Sequence, residues 1–182
     1  MGTLAAVLDV VVVAVVVSGF VLLGVSAARH LRWREAFVVQ LRAQRLWPDG
    51  SEAGVAWSVT GAEAGVGAGG VLGLSFGLSA AALDPLLSAM ALLGVAFVAI
   101  QVFLLVRRPD APCGCNPGHD GRVGVGTLLK AAWPAVAGVI GLAGLPAEAL
   151  DDLSLAAACV AVFAGLALAW LLDTVPVLFD RA

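Results

Sequence analysis

LAAVLDVVVVAVVVSGFVLLGVSAA, residues 4–28, is the stretch whose reading decides the fold. In water, so many valines would favour a strand. In lipid, a lone apolar run must satisfy its own backbone hydrogen bonds, and helix wins. Twenty-five residues at helical rise span roughly 37 Å, enough to cross a hydrocarbon core of about 30 Å. No Lys or Arg precedes the run and Asp9 lies near its start. It therefore reads as a retained span, not as a leader cleaved after Val25-Ser26-Ala27.

Four more segments of this kind follow, at about 53–79, 85–106, 123–145 (whose start could lie nearer Lys130) and 153–172. The whole chain agrees with them. Of its 182 residues 61% are hydrophobic and only 13% charged, against about 25% charged in soluble domains. Tyrosine is absent and glycine numbers 22, which suits closely packed membrane helices. The expectation is an all-α integral membrane protein of the cell membrane, one transmembrane domain over 1–182 with five spans. Lipid bilayer is its first partner, and no nucleic acid is expected.

The first connection is more than coil. Trp33, Phe37, Val38 and Leu41 repeat at helical spacing among arginines and glutamines. This predicts an interfacial amphipathic helix over about 30–47, anchored by Trp33 and Trp47. Its basic face suits anionic lipid, with a docked partner as the alternative. All ten Lys and Arg fall on one side of a five-span chain: Arg29 to Arg45, Arg107 to Lys130, and Arg181. The positive-inside rule places those connections in the cytoplasm and the N-terminus outside.

Within the spans, Gly61, Gly65, Gly69, Gly73 and Gly77 recur every fourth residue. Such a ridge serves close helix packing, inside the bundle or in a homo-oligomer. Glu63 sits off the ridge, 11 residues or roughly 16 Å from the basic end of its span. A carboxylate at that depth is costly unless protonated or partnered. It is a candidate for proton handling or for bonding a quinone or thiol. The structural alternative is a neutral acid bonded to a neighbour such as Gln101 or Thr60. Asp9 and Asp173 near span ends read as water-accessible, Gln101 as a packing hydrogen bond, and Cys159 as a small buried hydrophobe.

Chemistry concentrates in the polar loop 107–122, around Pro112-Cys113-Gly114-Cys115-Asn116-Pro117. Prolines and glycines constrain the turn, and Gly114 lets the two sulfurs meet. A disulfide across one spacer closes a small strained ring, suited to exchange more than to stapling. Arg107, Arg108 and His119 favour thiolate. Three readings compete. Cys113 and Cys115 form a redox couple with Glu63 as proton carrier, or Cys113, Cys115 and His119 hold a soft metal such as Zn or Cu(I), or the loop is inert in an accessory assembly subunit.

Three stretches resemble the MauE family, the methylamine-utilisation membrane proteins grouped with DoxX-like redox-associated proteins. They are Ser26-Ala-Ala-Arg-His-Leu-Arg with the stretch to Leu46-Trp-Pro, Glu63 with Gly67, and Pro112-Cys-Gly-Cys-Asn followed by Gly121-Arg-Val-Gly-Val-Gly-Thr-Leu-Leu-Lys. Together they cover about residues 10–145. The family pattern usually has Phe-Gly after the second cysteine, where Asn116-Pro117 stand here, and an arginine where Lys130 stands. The resemblance implies a four-helix core similar to the vitamin K epoxide reductase and disulfide-oxidoreductase group, plus one helix. It implies passage of reducing equivalents or disulfides, often beside a thioredoxin-like partner outside the cytoplasm; on the redox reading, quinone or thioredoxin would restore the cysteine pair. By carry-over, Cys113 and Cys115 are the redox pair and Glu63 the intramembrane acid. An outside partner wants the cysteines outside, whereas the charge asymmetry of this chain puts them inside.

Overall fold

The computed structural model describes residues 2–113, 123–144 and 155–179, and they contain helices and no strand. The helices are α1 (Gly2–Arg32), α2 (Arg34–Gln44), α3 (Glu52–Ser75), α4 (Ala80–Arg107), α5 (Val125–Gly144) and α6 (Leu155–Phe179). Among the described residues, four segments are long and apolar enough to cross a membrane: Ala6–Arg32, Ala80–Arg107, Val125–Gly144 and Ala156–Thr174. α3 has the length, with 24 residues, but carries Glu52, Glu63 and many glycines.

The valine-rich α1 is the hub, touching α2, α3, α5 and α6. A helix apolar on all sides is a buried one, and α1 uses its valines accordingly. Val12, Val16, Phe20 and Leu23 pack with Val66, Leu83, Leu87, Met90 and Ala137 of α3, α4 and α5. Val13, Ala14 and Val17 face Ala161 of α6 on the other flank. Ser18 crosses this apolar column as a satisfied polar group: its hydroxyl donates to the Val15 carbonyl (2.6 Å) and accepts from Trp133 Nε1 of α5 (2.8 Å).

Glycine sets the helix spacing. A Cβ at Gly94 of α4 would lie 2.2 Å from the Ala135 nitrogen of α5, and one at Gly138 would lie 2.7 Å from the Ala91 nitrogen. On α3 the close approach is at Gly67, where a Cβ would sit 2.6 Å from the Gly24 nitrogen and 2.9 Å from the Phe20 carbonyl. Gly70 lies under the Phe20 ring.

Several boundaries differ from the expected ones. α4 starts at Ala80, not Pro85, and runs through the proline. Pro85 lies in the second turn, so it forfeits only the bond to the Ala81 carbonyl. α5 begins at Val125, where Thr127 Oγ1 accepts from the Gly124 N–H (2.9 Å) and donates back to the Gly124 carbonyl (2.8 Å). The end of α3 answers the glycine ridge. Gly77 has φ +65°, with Leu78 N–H donating to the Gly73 carbonyl and Gly77 N–H to the Leu74 carbonyl. That is a Schellman cap, so Gly77 ends the helix instead of continuing its face.

Candidate functional site

Glu63 is 2% exposed, deep in α3. Its partners come from α1, not from Gln101 or Thr60. Ser26 Oγ donates to Glu63 Oε1 (2.8 Å), and His30 Nδ1 lies 2.7 Å from Glu63 Oε2. Ser26 and His30 are four residues apart, hence on one helical face. That face meets Glu63 because Gly67, one turn further along α3, admits the α1 backbone at Phe20 and Gly24. The imidazole is 3% exposed and stacked on the Phe37 ring of α2, centroids 3.8 Å apart and planes 3° from parallel.

One proton is shared between Glu63 Oε2 and His30 Nδ1. A carboxylate beside a neutral imidazole leaves one negative charge in a low-dielectric interior; a second proton cancels it. His30 was missed as a site residue. The signal was present in Ser26-Ala-Ala-Arg-His30, a polar i, i+4 couple at the end of an otherwise apolar helix.

The cluster opens into a cavity of about 90 Å³. Leu23, Leu41, Val59 and Phe97 give its walls an apolar character, and Gln44, Trp47, Gln101, Lys130 and Cys113 complete them. Cys113 is 4% exposed, packed with Leu104, Ala111 and Val123. Its backbone is held from α2, since Gln44 Nε2 donates to the carbonyl of Pro112 (3.2 Å). The predicted residues Glu63 and Cys113 thus line one cavity. Cys115 and His119, the other members of the redox and metal readings, lie outside the described residues. Among the described residues no group of three or more His, Cys, Asp or Glu is placed to hold a metal ion.

Asp173 overturns its expected role. It is not a solvated helix end. Its carboxylate takes Lys130 Nζ of α5 (2.7 Å) on one oxygen, and Nη1 and Nη2 of Arg29 of α1 on its two oxygens. Lys130 is 8% and Asp173 13% exposed. α6 turns this residue inward because its buried positions, Ala161, Gly165 and Ala169, are small and spaced by four, and Asp173 is the next in that series. The spacing was readable, but an acid near a span end has a cheaper default in water.

Two other expectations change. Gly61 and Gly65 face open space and Gly69 meets only Leu86, so the intramolecular contacts on α3 belong to Gly67, Gly70 and Gly73. Only Gly73 lies on the predicted ridge. Cys159 is exposed, not buried, because α6 packs chiefly on α1 and α5 and leaves much of its surface uncovered. α2 exists as a helix with Phe37, Leu41 and Gln44 buried, and Phe37 and Leu41 pack on Ala56 of α3.

Compared with known families, residues 6–145 match the model described as Methylamine utilisation protein MauE. The match covers Glu63, His30 and Cys113 and ends before α6. No curated protein and no solved structure matches the chain.

Proposed function

The chain belongs to the MauE family, and from that premise we propose a membrane thiol-disulfide exchange protein associated with methylamine utilisation. The observation that carries the reading is the single cavity lined by Cys113 and by the Ser26–Glu63–His30 cluster. A thiol that shares a cavity with a buried proton acceptor suits exchange, since the thiolate is the nucleophile.

In the proposed cycle, the Cys113 thiol gives its proton to the Glu63–His30 pair. Its sulfur then attacks one sulfur of a thioredoxin-like partner's disulfide, and the partner's other sulfur leaves as thiolate and takes that proton. The Cys115 sulfur attacks the Cys113 sulfur, closing the intramolecular disulfide, and the partner's second sulfur leaves and takes the Cys115 proton. Two electrons pass to the partner, and a reduced thioredoxin-like protein restores the dithiol by the reverse steps.

The same reading takes α3 as a fifth span and α2 as an interfacial helix. Both basic connections then lie at the cavity end of the bundle, on the cytoplasmic side by the charge rule. The test is mixed-disulfide trapping with a thioredoxin-like protein. Cys115→Ser leaves the first adduct unresolved and should accumulate a dithiothreitol-sensitive conjugate, absent from Cys113→Ser. Undiminished partner exchange in both variants would sink the proposal.

A further inference from the structure

Lys130 has no part in the proposed exchange cycle, yet its side chain is only 8% exposed and it lines the cavity with Cys113. Burying a lysine is unfavourable unless a partner compensates. Here the partner is Asp173 on α6, a helix that follows the matched residues 6–145. Asp173 serves Lys130 and Arg29 together. Two cations on one carboxylate leave a net positive charge behind the Lys130 wall. Glu63 and His30 line the same cavity. α2 brings Gln44 to the cavity, the connection after it Trp47 and α4 Gln101, and none of these carries charge.

We propose that Lys130, anchored by Asp173, is the positioning cation that stabilises negative charge on the Cys113 sulfur inside the cavity. This deepens the exchange reading and rests on it for its purpose, though not for its test. A thiolate in an apolar cavity beside Glu63 would be strongly disfavoured by desolvation and by like charge. The cation of Lys130, a residue of the same cavity lining, offsets both, and in a low-dielectric site its field is little screened. α6 thereby acquires a role at the cavity, supplying the counter-charge that holds Lys130 in place.

The experiment measures the alkylation rate of Cys113 against pH with a neutral reagent, iodoacetamide. It uses the reduced full-length chain with Cys115→Ser and Cys159→Ala, so that one thiol reports. No exchange partner is present, so failure of the exchange reading and failure of this inference appear in different assays. Lys130→Met should raise the midpoint of the profile by about one pH unit or more, a tenfold or greater slowing near neutrality. Lys130→Arg should hold the midpoint within a few tenths of a unit.

If Lys130→Met alone does not fold, Lys130→Met with Asp173→Asn removes cation and anion together and should show the same upward shift. A purely structural role would change the folded yield and leave the midpoint in place. Superimposable profiles, or a Cys113 that fails to react at any pH in the otherwise intact chain, would overturn the inference.

Discussion

Glu63 is the residue on which the apolar interior spends its polar capacity. One of its oxygens accepts from Ser26 and the other faces His30 Nδ1, and all of it is screened from lipid by α1 and α2. Removal and neutralisation should therefore part company. Glu63→Leu leaves the His30 ring and the Ser26 hydroxyl without this partner, at about 1–3 kcal/mol for each buried group left unsatisfied. Glu63→Gln keeps the size and one acceptor oxygen but cannot carry the proton. Thermal unfolding should show a large loss for the leucine variant and a small one for glutamine. Thiol exchange should fall in both. Glutamine retaining full exchange would remove the carboxyl from the proton path. The sequence was open to this reading at Glu63, where depth alone marks a carboxyl as partnered. It was mute on the partner's identity, because which face of α1 turns to α3 depends on a backbone approach between distant positions.

At the scale of elements, α3 shows how a correct pattern can mislead about its use. A glycine every fourth residue from Gly61 to Gly77 looks like one packing face. It divides into open positions (Gly61, Gly65), partial contacts (Gly69, Gly73) and a helix cap (Gly77). The closest contact with α1 is at Gly67, off that ridge. Periodicity reports which residues share a face, and only tertiary contact reports which face is used. Gly67→Ala pushes a methyl into the α1 backbone at Phe20 and Gly24, where nothing flexible can yield. It should cost about 1–3 kcal/mol, as overpacking does, and should separate Glu63 from His30. Gly61→Ala and Gly65→Ala meet nothing within the chain and should stay within about 0.5 kcal/mol of the parent. Melting curves of the three variants decide it. Equal losses at all three would mean that the outer face of α3 is covered by something beyond this chain.

Over the whole molecule, apolar packing and one charged node divide the work of assembly. The valine column of α1 joins α3, α4 and α5 to a common core and takes α6 on its other flank. Apolar helices in lipid gain little from hydrophobic burial against one another, so α6, packed mainly through small residues, needs a further hold. Asp173 provides it, joining α6 to Arg29 of α1 and Lys130 of α5 near one end of the bundle. Asp173→Asn strips both cations of their counter-charge and should destabilise the protein by about 3–5 kcal/mol, the usual result of removing one partner from a buried pair. Adding Lys130→Met removes the more buried of the two stranded charges, while Arg29, at 29% exposure, can extend toward water. The double variant should therefore melt above Asp173→Asn alone, although it carries one more substitution. Additive losses would mean that Lys130 and Asp173 act independently, and the hold on α6 would then rest on Arg29 and packing alone.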